Sequence, residues 1–162
     1  MIILGIDPGT ATTGFGIVEN KDDRLSTIDY GCIRTEAKTP FGLRLNRIYE
    51  HLVEIIGRYN PDSIAMEALF FCRNVKTALS VGQAQGAIIL AATRAGRPLY
   101  EYTPLQIKQA VTGFGRASKD QVQEMVRILL NLPQPPQPDD AADALAAAIC
   151  HIHLWQFAKG RQ

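Results

Sequence analysis

Four carboxylates stand where a short apolar segment ends or a helix begins. Asp7 and Glu67 each come directly after such an apolar segment. Asp140 and Asp143 lie at the start of the last predicted helix, three residues apart and therefore on one face. Carboxylates without His or Cys suit a hard cation, of which Mg²⁺ is the usual one. Two such ions, roughly 3.5–4 Å apart, would orient a water and stabilise a leaving oxygen in the hydrolysis of a phosphodiester.

Each acid taken alone also has an ordinary explanation to be weighed. Asp7 precedes Pro8-Gly9, where Asp is a common turn residue, and Asp140 is favoured in a first helical turn by the helix dipole. Glu67, however, is a poor turn residue, and Asp143 lies in an alanine-rich stretch suited to close packing. The four acids together therefore favour a ligand site, provided that the fold brings them to one place.

Apolar patterns predict five strands. These span residues 2–6, 13–19, 24–34, 63–67 and 97–102. The first should be buried on both faces, and the first three should form an antiparallel meander in which Gly14 and Gly16 permit close backbone approach. A right-handed helical crossover should place the fourth strand parallel to the first. Glu67 and Asp7 would then lie at the same edge of the sheet.

Helical periodicity predicts five helices. The first is amphipathic, has Thr39 as its capping residue, and ends before Asn60-Pro61; the second spans 74–94. The later three begin at Thr103-Pro104, Ser118 and Asp139-Asp140. A proline-rich connector at 133–138 precedes the last helix, without marking a domain boundary.

The second helix carries a stripe of small residues one turn apart, namely Ala78, Gly82 and Gly86. Such a stripe lets another backbone approach closely. In soluble proteins that backbone usually belongs to the parent sheet, and the alternative is a second subunit. The residues alone leave both open.

Composition fits a single domain over 1–162. The net charge is +1, but if four of the 16 acids bind metal, 12 acids face 17 basic residues, a bias of +5 towards polyanions. The three cysteines, an odd number without paired spacing, are expected to be reduced, and no apolar run is long enough to span a bilayer. With no signal peptide apparent, we expect a cytoplasmic protein. His151 and His153 are expected at the surface rather than as metal ligands.

Several stretches together resemble the RuvC family of Holliday junction resolvases, within the ribonuclease H-like superfamily. The matching stretches are Ile3-Leu4-Gly5-Ile6-Asp7-Pro8-Gly9, Tyr30-Gly31-Cys32-Ile33-Arg34-Thr35, Glu67, Val81-Gly82-Gln83-Ala84-Gln85-Gly86, Gln106-Ile107-Lys108-Gln109 and Asp140-Ala141-Ala142-Asp143-Ala144-Leu145-Ala146. Asp-Pro-Gly alone is common, whereas this ordered set covers nearly the whole chain and is specific. The resemblance implies an α/β fold of the ribonuclease H-like type, with a five-stranded mixed sheet flanked by helices.

The resemblance also implies roles for individual residues. The metal-binding catalytic acids would be Asp7, Glu67, Asp140 and Asp143. The DNA contacts would be Phe70, Arg73, Lys76, Lys108 and Lys119. Asp139, which directly precedes the matched pair, would only cap the helix. Without the resemblance, the lysines would be interpreted as solvated surface charges and Phe70 as a core residue.

The family acts as a homodimer, which suits a four-way DNA junction with near two-fold symmetry. By resemblance, two active sites would nick strands of like polarity, each with two Mg²⁺ ions, for which Mn²⁺ can substitute. The stripe of Ala78, Gly82 and Gly86 becomes the expected dimer element. The resemblance further implies cooperation with the RuvA and RuvB branch-migration proteins, and no membrane partner.

Three other functions compete with this one. A ribonuclease acting on RNA–DNA hybrids would use the same carboxylate chemistry and differ in substrate. An actin-like ATP-binding kinase would share the Asp-Pro-Gly-Thr loop, but it needs two related domains and a much longer chain. A junction-binding scaffold without catalysis is disfavoured because all four acids are present.

Overall fold

A five-stranded mixed sheet forms the centre of the protein, in the order β3-β2-β1-β4-β5. The computed structural model describes residues 1–69 and 75–159. The strands are β1 (Ile2–Asp7), β2 (Thr12–Lys21), β3 (Arg24–Arg34), β4 (Ser63–Glu67) and β5 (Leu99–Tyr102). β1 to β3 pair antiparallel, whereas β4 is parallel to both β1 and β5. The predicted sheet, with its antiparallel first three strands, is confirmed.

Helices cover both faces of this sheet. They are α1 (Phe41–Tyr59), α2 (Val75–Arg94), α3 (Pro104–Thr112), α4 (Lys119–Leu129) and α5 (Asp139–Lys159). The alternation of side chains along β1 divides the core, since Leu4 and Ile6 pack with α1 and α2 while Ile3 packs with the other three helices. Within the described residues, no helix combines the length and the hydropathy needed to cross a membrane.

Helix α5 lies directly on the glycines of the two central antiparallel strands. A Cβ atom added to Gly5 would lie 1.9 Å from the Ala144 carbonyl oxygen, and one added to Gly14 would lie 1.9 Å from the Asp140 carbonyl oxygen. Gly14 is also the β-ladder partner of Asp7. The glycines therefore allow the start of α5 to reach the end of β1, as the close approach predicted at Gly14 requires.

The predicted starts of α3, α4 and α5 agree with the structure, the predicted start of α2 at 74 lies outside the described residues, and the prediction for α1 differs. Thr103 and Ser118 each form a capping box, in which the hydroxyl accepts a hydrogen bond from the backbone N–H three residues later. Thr39 does not cap α1, because Pro40 occupies the N-cap position and no side chain accepts a cap hydrogen bond there. The fixed φ of Pro40 starts this helix in its place.

His151 is buried, so the prediction of a surface residue was wrong. Its Nε2 lies 2.9 Å from the Ser63 hydroxyl and its Nδ1 lies 2.7 Å from the Tyr102 hydroxyl. His153 is half-buried, with Nδ1 2.9 Å from the Ala110 carbonyl oxygen. These partners come from β4, β5 and α3, so helical periodicity alone gave no signal of them.

The small-residue stripe of α2 does not pack on the parent sheet. The buried residues of α2 are instead Ala84, Gln85, Ile88, Ala91 and Ala92. Gly86 is exposed, and a Cβ atom at Gly82 or Gly86 would meet no atom within 4 Å. At Gly82 and Gly86, packing on the sheet is therefore excluded, and the subunit interface stays a prediction.

Candidate active site

The four predicted acids come from three elements that meet at one edge of the sheet. Asp7 is the last residue of β1 and Glu67 is the last residue of β4. Because these strands are adjacent and parallel, their carboxyl ends lie side by side. Asp140 and Asp143 lie in the first two turns of α5, whose backbone contacts Gly14 opposite Asp7.

Burial and mutual repulsion disfavour the charged forms of these acids. Burial, followed by the negative charges of Glu67, Asp143 and Asp140, raises the pKa of Asp7 to about 8. Burial also raises the pKa of Glu67, with the Asp143 charge as the next cause. The pKa of Asp143 is likewise raised by burial, although Lys119 opposes the change. The acids thus form one electrostatic cluster, in which the nearby positive charge is too small to offset the repulsion between the carboxylates.

The donor chemistry of this cluster fits a hard divalent cation. Only carboxylate oxygens are offered, and a cation would remove the repulsion that raises the pKa of Asp7. However, among the described residues, no three His, Cys, Asp or Glu side chains converge closely enough to hold an ion as they stand. The identification of the four acids as metal ligands therefore stays a prediction.

A lysine of α4 pairs with two acids at the start of α5. Lys119 Nζ lies 3.2 Å from an oxygen of Asp143 and 3.2 Å from an oxygen of Asp139. The Gln123 side-chain amide donates a 3.0 Å hydrogen bond to the other oxygen of Asp139. Asp139 was predicted only to cap α5. It is the first residue of that helix, and its carboxylate oxygens bind α4 side chains instead.

Two of the predicted DNA-contacting lysines line a cleft beside the acids. The cleft, of about 290 Å³, is lined by Glu67, Asp143, Lys108, Lys119 and the apolar residues Pro104, Ile107, Val122 and Ala146. The charge of Lys108 favours the ionised form of Glu67. Lys76 is exposed near the start of α2. Phe70 and Arg73 lie outside the described residues, so their predicted DNA contacts stay predictions.

Two polar side chains that support the site had no assigned role in the sequence. Gln85, buried on α2, donates its side-chain amide to the Glu67 carbonyl oxygen at 3.1 Å. Thr13, also buried, donates its hydroxyl to the Gly9 carbonyl oxygen at 2.7 Å, closing the turn after Asp7. Gln85 lies in one of the stretches that match the family. A glutamine on the apolar face of a predicted helix was the feature of the sequence that could have indicated its role.

We expect Gln85→Ala to weaken the site more than it weakens the fold. Loss of the hydrogen bond to the end of β4 and of the buried side chain should cost about 1–2 kcal/mol of unfolding free energy. Because Glu67 loses its support, the DNA cleavage that the family resemblance implies should slow about tenfold. Gln134→Ala, which makes the same change at an exposed position of the proline-rich connector, should change neither property. Urea denaturation and cleavage rates measured on both variants check this, and equal behaviour would contradict it.

The strand order, with β4 parallel to β1 and the first three strands antiparallel, is that of the ribonuclease H-like fold class. Comparison with known families supports a narrower assignment. The family model described as crossover junction endodeoxyribonuclease RuvC matches residues 3–151. The chain belongs to this family.

Individual relatives match this chain over nearly their whole length. The crossover junction endodeoxyribonuclease RuvC of Pelotomaculum thermopropionicum is 57% identical over 157 residues, covering 97% of this chain and 96% of the relative. The Thermus thermophilus RuvC structure superposes with a TM-score of 0.92 at 37% identity, covering 98% of this chain and 97% of that one. T. thermophilus RuvC in complex with a Holliday junction substrate gives a TM-score of 0.93 at 37% identity, covering 98% and 96%.

Proposed function

We propose that the protein is a metal-dependent endonuclease that resolves four-way DNA junctions by hydrolysing phosphodiester bonds in two strands of like polarity. The single observation that carries this proposal is the half-buried, mutually repelling carboxylate cluster at the edge of β1 and β4, on a chain of the RuvC family. The T. thermophilus relative complexed with a Holliday junction supports the choice of substrate.

The proposed chemistry assigns one task to each part of the site. Mg²⁺, or Mn²⁺ in its place, would supply Lewis acidity and an activated water when bound, with two ions per site. Asp7, Glu67, Asp140 and Asp143 would hold the ions. Lys108 and Lys119, on the cleft wall beside the acids, would contact the phosphate next to the scissile bond.

A gel assay on labelled substrates tests this proposal. A four-way junction, a linear duplex of the same sequence and an RNA–DNA hybrid are each incubated with and without Mg²⁺. The proposal requires paired symmetric nicks in the junction alone, and only with the metal. Cleavage of the hybrid would move the protein to the ribonuclease function, and tight junction binding without cleavage would move it to the scaffold function. Metal-independent nicking would overturn the role of the acids.

We also propose a homodimer that brings two such sites to one junction, with α2 as the contact element. Exposed apolar side chains accompany the small-residue stripe on this helix, since Val75 is 79% exposed and Leu79 is 64% exposed. A narrow stripe flanked by exposed apolar residues is suited to close helix contact between subunits. Cooperation with RuvA and RuvB is proposed on the family membership alone.

Gly82→Glu should convert the dimer to monomer. A Cβ atom at this position meets nothing within 4 Å, so the subunit fold should tolerate the substitution, while a charge in the proposed contact should weaken association at least about 100-fold. Gly57→Glu, equally open on α1, is the matched control and should stay dimeric. Sedimentation velocity distinguishes the two; a dimeric Gly82→Glu variant would refute this interface.

A further inference from the structure

Lys119 lies at the edge of the carboxylate cluster, where its positive charge partly offsets the repulsion between the acids. Its ammonium group lies at 3.2 Å from both Asp139 and Asp143, and it is the first residue of α4. The Ser118 capping box fixes the start of that helix. Two side chains of α5, Asp139 and Asp143, therefore hold this α4 lysine against the edge of the carboxylate cluster.

This pairing differs from an ordinary surface salt bridge. Exposed ion pairs contribute little, because water solvates both partners. Here one partner, Asp143, belongs to a half-buried cluster whose other acids repel it, while about half of the Lys119 side chain stays exposed. The second partner, Asp139, is held by the amide of buried Gln123. Gln123, Asp139, Lys119 and Asp143 thus form a continuous polar chain that ends at a predicted metal ligand.

We propose that Lys119 is the counterion of Asp143 when no divalent cation is bound, and that it competes with that cation for the Asp143 carboxylate. A bound cation releases the ammonium group from Asp143. Because Lys119 also lines the cleft beside Glu67, the released group can contact a phosphate there. Metal binding and phosphate binding then favour each other, since each draws one partner out of the same ion pair. This inference rests on the metal site of the proposed function.

Lys108 supplies the matched comparison. It lines the same cleft and acts on Glu67 through its charge, yet it forms no salt bridge with the acids among the described residues. Removing either lysine changes the net charge of the cleft by the same amount. Only the removal of Lys119 also frees an oxygen of Asp143. A general effect of charge and a specific competition for Asp143 are therefore separable.

The test is a titration of Mn²⁺ and, separately, Mg²⁺ against the DNA-free protein, followed by thermal unfolding. The apparent Kd is obtained from the rise in Tm for the wild type, Lys119→Met, Lys108→Met and Lys119→Arg. Lys119→Met should bind the cation about tenfold more tightly than the wild type, although its metal-free Tm should be lower. Lys108→Met should differ from the wild type by about threefold or less. Lys119→Arg, which keeps the positive charge, should behave like the wild type.

Each of the other outcomes would overturn one part of this proposal. Equal tightening in Lys119→Met and Lys108→Met would show a general effect of charge and overturn the competition. A lower Tm for Lys119→Met with unchanged cation affinity would show that Lys119 only links α4 to α5. If neither the wild type nor any variant gains stability from either cation, the metal site of the proposed function is refuted, and the competition is refuted with it.

Discussion

Asp7→Asn should abolish junction cleavage, leave junction binding intact and make the metal-free protein more stable. The loss of cleavage should be about 1,000-fold or more, equivalent to about 4 kcal/mol of transition-state stabilisation, because an oxygen of a proposed metal ligand is replaced by an amide. Binding should persist, since the contacts expected from Lys108 and Lys119 remain. The gain in stability follows from removing a charge that burial and three neighbouring acids oppose.

The gain in stability should depend on pH in a defined direction. The pKa of Asp7 is raised in the folded protein to about 8 from an ordinary value of 3.8, so the folded state holds a proton that the unfolded state releases. Wild-type stability should therefore fall as the pH rises from about 4 to about 8. Asn has no proton to lose at this position. The advantage of the variant should be small near pH 4 and grow towards pH 8, where the two pKa values set it at no more than about 6 kcal/mol, or roughly 12–24 °C in Tm.

Thermal unfolding between pH 4 and pH 9 with chelator present, together with cleavage and junction-binding assays, measures these effects. Asp22→Asn makes the same atomic change at an exposed turn and should alter none of them. A variant that cleaves like the wild type would refute the mechanism. A variant whose Tm advantage stays constant with pH would instead show that Asp7 is not held in a repelling cluster.

Much of the site could be predicted from the sequence because its acids mark the ends of regular elements. An apolar strand that ends in a carboxylate fixes where that carboxylate lies once the strand order is known, and β1 and β4 meet this condition for Asp7 and Glu67. The same local rules located the helix caps at Thr103 and Ser118 and all five strands. In each case the information lies within about ten residues of the chain.

Features that depend on contacts between distant elements could not be predicted. The pairing of Lys119 with Asp139 and Asp143 requires α4 to pack beside α5, and no local pattern indicates that packing. The burial of His151 depends in the same way on hydroxyl groups from β4 and β5. The stripe on α2 shows a related limit, since small residues permit a close approach without identifying the approaching partner.

Gly14→Ala should destabilise the protein and inactivate it in a single step. The new methyl group would lie 1.9 Å from the Asp140 carbonyl oxygen and 2.4 Å from the Asp140 carbonyl carbon, so the start of α5 must move away from the sheet. Overpacking against a helix backbone, which cannot rotate aside as a side chain can, should cost about 3 kcal/mol. The Tm should fall by roughly 6–12 °C.

The effect on cleavage should exceed the effect on stability, because the displaced helix carries Asp140 and Asp143. A displacement of about 1 Å at a reacting group can cost about 100-fold in rate, so the folded fraction of the variant should cleave at least that much more slowly. Gly57→Ala, where the added methyl meets nothing within 4 Å, should keep full activity and gain helix stability. Rates measured well below the Tm of the variant separate misplacement from unfolding. Wild-type cleavage by folded Gly14→Ala would mean that the spacing between α5 and β2 does not set the position of the acids.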